Sequence, residues 1–138
     1  MLPTHPQIVQ QVHSAALGLA FAHLSNALLA THEIDGAINC ACKSVPLSVA
    51  DGMLWTRLDA LALLALRRGR LPEAARIAGR SSALDQRRSS RREPNAQRAR
   101  DEVMAALQGA FAEEELARLL SEGANLSDEE AANLQVAT

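Results

Sequence analysis

The stretch Leu61-Ala-Leu-Leu-Ala-Leu-Arg-Arg-Gly-Arg-Leu-Pro-Glu-Ala-Ala-Arg-Ile-Ala78 decides the fold. Leu54, Leu58, Leu61 and Leu64 or Ala65 recur at helical spacing. Arg67 and Arg68 then place bases in a last turn, and Gly69 stands at the C′ position that favours a left-handed backbone. Pro72 suits the first turn of the next helix, where a missing N–H costs least. The reading is a helical hairpin, with helices over about 52–68 and 72–87.

Working outward, Thr4-His-Pro-Gln7 reads as a capping box opening a helix to about residue 30, and a second helix covers about 34–46, with Pro46 and Asp51-Gly52 as the next break. The polar run from Arg87 to Pro94 has no apolar face and is expected to be a flexible loop. A fifth helix then reaches Gly109. Phe111, Leu116, Leu119 and Leu120 stripe a sixth helix, closed by Gly123, and Ser127-Asp-Glu-Glu130 is a second capping box before a short last helix. Composition agrees with an all-α chain: 138 residues are 48% hydrophobic but 2% aromatic, with no tyrosine, whereas strands favour aromatic and β-branched residues. One domain, 1–138, is expected at this length, made of repeat-like hairpins over about 5–48 and 51–87, the loop 87–94, and cap helices 94–138.

The two hairpins align. Ala37 matches Ala74 at an offset of 37 residues, with Leu24-Ser25 against Leu61-Ala62, Ile34 against Leu71, and Ala41 against Ala78. Small residues at such positions let two antiparallel helices approach closely, which is the grammar of the tetratricopeptide repeat. The departures are Leu58 and Ala65 in place of aromatics, His32 in place of the first turn glycine, and Gln86 in place of a closing proline.

Charge is segregated. Residues 67–100 carry eleven arginines against Glu73, Asp85 and Glu93, while 101–138 carry nine acids against Arg118. Mutual neutralisation of two neighbouring blocks is the preferred reading, because single-strand nucleic-acid binders interleave aromatics with their bases and none lies between Trp55 and Phe111. The alternative is a nucleic-acid-binding protein using the basic patch Arg87–Arg100, with Arg87, Arg88, Arg91 and Arg92 the arginines expected to stay unpaired.

Candidate chemistry is sparse. His5, His13, His23, His32, Cys40 and Cys42 show no i, i+3 or i+4 pairing, so no metal site and no cofactor are expected. The single lysine, Lys43, has no glycine-rich loop before it, which excludes a phosphate loop. Glu113-Glu-Glu115 suits the first turn of a helix. The helix after Gly123 offers Asp128, Glu129 and Glu130 where a DNA-recognition helix would present bases or amides. Two cysteines one residue apart suit a reducing cytoplasm, and the N-terminal stretch lacks the basic start of a leader. The longest apolar runs are broken by His23, Asn26 or Arg67, so no membrane association is expected.

Residues 64–84 resemble the last repeat in the C-terminal helical region of large bacterial ATPase regulators of the LuxR and AfsR type. In those proteins a polar, proline-bearing loop and an Arg/Ala-rich helix follow, then a Glu-Gly-x-x-Leu-Ser/Thr-x-Glu-Glu-Ala signature. Here Arg87–Pro94, Gln97–Leu107 and Glu122-Gly-Ala-Asn-Leu-Ser-Asp-Glu-Glu-Ala131 are similar, so the resemblance covers about half the chain. It implies a repeat region that receives a signal or partner, the upstream nucleotide-binding part being absent from these residues. The expected activity is therefore a non-enzymatic protein–protein interaction module. Its groove residues are Leu19, Ala22, His23, Asn26 and Leu29 from the first repeat, and Thr56, Asp59, Leu63, Leu66 and Arg67 from the second. The expected occupant is a protein or peptide, or a second copy docked on the repeat face.

Overall fold

A computed structural model describes residues 5–87 and 94–134, with side chains throughout except at 5–12, 14, 15, 51 and 85–87. The described residues form seven α-helices and no strand. They are α1 (His5–Ala30), α2 (Ile34–Asp51), α3 (Leu58–Arg67), α4 (Leu71–Arg87), α5 (Pro94–Ala110), α6 (Glu113–Ala124) and α7 (Asp128–Asn133), with a 3-10 turn over Leu54–Arg57. The chain divides into two compact units, Met1–Leu54 and Trp55–Thr138. The division falls just inside the start of the second expected hairpin, 51–87.

The first unit is the antiparallel pair α1–α2. Gly18, Ser25 and Leu29 of α1 are buried along one stripe, against Ala37, Cys40, Ala41, Ser44, Val45 and Ser48 of α2. The small residues bring the backbones close enough for hydroxyls to reach across: Ser25 Oγ donates to the Ala37 carbonyl at 2.8 Å, and Ser44 Oγ to the Gly18 carbonyl at 3.1 Å. Helix α2 does not stop at Pro46 but runs through it to Asp51. Pro46 is exposed on the outer face, while Ser44, Val45 and Ser48 hold the inner face against α1, so tertiary packing outweighs the missing N–H. The helix ends at Gly52, whose φ of 75° is left-handed.

The second unit is built around α4, which packs on α3, α5, α6 and α7. Leu58, Leu64, Ile77, Val103, Leu107 and Leu119 are its fully buried large side chains. Phe111 lies in the turn between α5 and α6 rather than inside the sixth helix, which begins at Glu113. Gly123 does not close α6 either; it is buried within the helix, where α6 crosses α4. A Cβ built on Gly123 would fall on the Arg76 carbonyl, and one built on Gly79 would fall on the Leu120 carbonyl. The expected capping box at α7 is present: Ser127 Oγ accepts from the Glu130 N–H, and Glu130 accepts from the Ser127 N–H, both at 3.0 Å. Thr4, the other expected cap, lies outside the described residues.

The turns of the two hairpins are superimposable in hydrogen bonding at the expected offset. Thr31, His32 and Glu33 donate their N–H groups to Ala27, Leu29 and Leu28 at 3.2, 3.1 and 2.8 Å. Arg68, Gly69 and Arg70 donate to Leu64, Leu66 and Ala65 at 3.1, 2.9 and 2.9 Å. His32 takes φ 64° where Gly69 takes φ 75°. A non-glycine residue pays a steric penalty in that region, so His32→Gly is expected to stabilise the first unit by about 0.5–1 kcal/mol, as read by chemical denaturation. Ala37 and Ala74 are both fully buried at the matched position. Ala74→Leu should destabilise by about 1–3 kcal/mol through overpacking, and an unchanged midpoint would contradict the close helix approach.

Candidate functional site

The residues expected to line a groove are distributed unevenly. On α1, His23 is exposed and Asn26 half-buried, but Leu29 is turned into α2 and unavailable. In the second unit Leu63 and Leu66 are half-buried. Thr56 is half-buried and accepts a hydrogen bond from Arg57 Nη1 at 2.8 Å. Asp59 is 7% exposed and accepts from the buried Ser81 hydroxyl at 2.8 Å, so its carboxylate bonds within the α3–α4 hairpin instead of facing a ligand. Arg67 is engaged by Glu102, with Nε and Nη2 at 2.9 and 2.6 Å from Oε2.

That last contact is among the ion pairs that tie the basic segment to the acidic one in the described residues. Arg76 Nε lies 3.0 Å from Glu122 Oε2, and Arg80 Nε lies 2.7 Å from Asp128 Oδ1. Arg80 Nη1 also donates to the Ala124 carbonyl at the end of α6. On α6, Arg118 bridges Glu115 and Glu122. Arg67, Arg76 and Arg80 of the basic block are thus paired with carboxylates of the acidic block within the second unit, along the lines where α3 and α4 meet α5, α6 and α7. Arg88, Arg91, Arg92 and the side chain of Arg87 lie outside the described residues.

The seam has a pH signature. The Arg76 hydrogen bond, aided by Arg118, holds the Glu122 carboxyl below the ordinary glutamate value of 4.5. The Ser127 N–H does the same for Glu130. Because folding lowers both values, their stabilisation is complete above pH 4.5 and is lost as pH falls through the folded values. The thermal midpoint is expected to fall on acidification below that pH, and Glu122→Gln to flatten the fall.

Among the described residues no three of His, Cys, Asp and Glu gather to hold a metal ion. Cys40 is buried and Cys42 exposed, both as free thiols. No helix among the described residues is long and apolar enough to cross a membrane.

The exposed face of α1 extends beyond the expected groove, which included Leu19 and His23 but not Leu17 or Leu24. Residues 1–32 contain no Asp, Glu, Lys or Arg, so α1 is a 26-residue helix without a formal charge. A surface helix ordinarily carries a charged outer face, and one that lacks it belongs under a neighbour. Yet Leu17, Leu19 and Leu24 are 44%, 43% and 48% exposed. The signal was legible in the sequence as the position of the first charged residue, Glu33. Lys43 marks the rim, its Nζ 5.5 Å from the centre of the Phe21 ring. No family model, curated protein or solved structure matches the chain.

Proposed function

We propose that the chain is a non-enzymatic protein–protein interaction module of the bacterial cytoplasm, a tetratricopeptide-like array of helical hairpins. In this reading it is the terminal part of the helical region of a transcriptional regulator of the LuxR/AfsR ATPase type, and it receives a protein or peptide partner. The carrying observation is the uncharged helix α1 with its exposed leucines, since exposed apolar side chains on a face without charge are stabilised by a partner surface. The matched turns of the two hairpins support the repeat architecture.

A photo-crosslinking residue at Leu24 of the full chain, irradiated in the cells that make it, tests the reading. Discrete polypeptide adducts are expected. Absence of any polypeptide adduct, together with retention of the purified chain on heparin that weakens with salt, would replace it with the nucleic-acid reading.

A further inference from the structure

The last helix, α7, is tied down at its two ends. Its six residues fall well below the length at which a helix is stable alone, so it is helical only while seated on α3 and α4. Asp128, Ala131 and Ala132 recur at i, i+3 and i+4 and form the seated face, while Glu129, Glu130 and Asn133 are exposed. The two alanines are fully buried but small, and Leu126 and Leu134 are half-buried, so little apolar surface fixes the helix.

Arginines hold the ends. Arg80 of α4 donates from Nε to Asp128 Oδ1 at 2.7 Å and from Nη1 to the Ala124 carbonyl at 3.4 Å. Arg70, just before α4, donates from Nη1 to the Leu134 carbonyl at 3.5 Å. The Arg80 side chain is 16% exposed, so the seat presents a mostly buried cation that requires a carboxylate opposite it. At Ala131 and Ala132, which have no exposed surface, it admits only small side chains. Any helix with an Asp-x-x-Ala-Ala face meets the same requirements.

We propose that α7 is a detachable strap over a docking surface on α3 and α4, and that a partner helix bearing an Asp-x-x-Ala-Ala face takes its place. A partner of about three or more turns carries that face without the fraying that leaves a six-residue helix marginal. The surface lies within the second unit and is additional to the α1 face; for its partner the proposal rests on the interaction-module reading.

Hydrogen exchange of the full chain reads the strap. The amides of Glu130, Ala131 and Leu134, which bond to Ser127 Oγ and to the Ser127 and Ala131 carbonyls, are expected to exchange at least about 100-fold faster than those of Val103 and Leu107, through local opening. Equal rates would make α7 a fixed part of the core and overturn the proposal.

The seat is read with a peptide of residues 125–134, titrated to about 5 mM against the NMR signals of Arg70 and Arg80, because a segment that orders as it docks binds weakly. Two full-length variants vacate the seat. Ala132→Glu adds a carboxylate that has no room, and Asp128→Arg sets two cations together without altering a fully buried side chain. Each should stay helical and bind the peptide at least about tenfold more tightly than the parent, in which tethered α7 competes at millimolar effective concentration. Loss of the remaining fold in Asp128→Arg, or folded variants that bind no better than the parent, would overturn the strap.

In the parent chain, a designed three-turn helical peptide with the same face should bind more tightly than the 125–134 peptide and release the α7 amides to unprotected rates. A peptide that leaves those rates unchanged would overturn the partner assignment. None of these readouts involves Leu24, so their failure leaves the interaction-module reading to the crosslink there, and failure of the crosslink leaves the strap measurable.

Discussion

Leucine in place of Gly123 is expected to unfold the second unit at ambient temperature. Helix α6 crosses α4 so closely that even a methyl group at Gly123 would fall on the Arg76 carbonyl, and a backbone atom inside a helix has no rotamer by which to move aside. The reciprocal contact at Gly79 sits on the Leu120 carbonyl, so the crossing has no slack on either side. Ordinary overpacking costs about 1–3 kcal/mol; a four-carbon side chain forced against backbone should exceed this, at about 4 kcal/mol or more. Gly123→Ala should also destabilise, but less, because it forces one methyl group and not four carbons against the Arg76 carbonyl, with a gain of up to about 1 kcal/mol in helix propensity against it. The control is Gly109→Ala in α5, where nothing lies within 4 Å of the new methyl group and only the propensity gain operates, stabilising by up to about 1 kcal/mol. Urea denaturation of the three variants checks this, and a Gly123→Leu chain with the parent's midpoint would mean that the helices do not cross there.

The second large effect is electrostatic. The combined variant Glu102→Gln, Glu122→Gln and Asp128→Asn removes the partners of Arg67, Arg76 and Arg80 while keeping side-chain shape. Ion pairs this exposed contribute little to stability, so the variant should remain helical. The released arginines should give sequence-indifferent nucleic-acid binding, with a logarithmic salt slope of about −3 if all three reach phosphates. The parent chain should bind little at physiological ionic strength, where the Debye length is about 8 Å. Removing residues 101–138 would expose the same arginines but also strip Val103, Leu107 and Leu119 from the core, so an insoluble product is expected. Tight binding by the parent, lost on charge reversal of Arg87, Arg88, Arg91 and Arg92, would favour the nucleic-acid reading.

Local signals in the sequence determined the all-helical class and most helix positions. Gly69 and Pro72 mark one hairpin turn, the Ser127–Glu130 box starts the last helix, and the alanine register shared by residues 37 and 74 led to two turns of one geometry. These features are legible because capping and left-handed turn positions depend on residues within a few places of one another. The charge segregation was legible as well, but only the tertiary structure paired Arg67 with Glu102, Arg76 with Glu122 and Arg80 with Asp128. It also drew Asp59 inward to Ser81, carried α2 through Pro46, and set Gly79 and Gly123 at a backbone crossing where one glycine had read as a helix end. Each of these outcomes depends on which helix faces are brought together and how closely, a distance between residues far apart in sequence that helical periodicity does not contain.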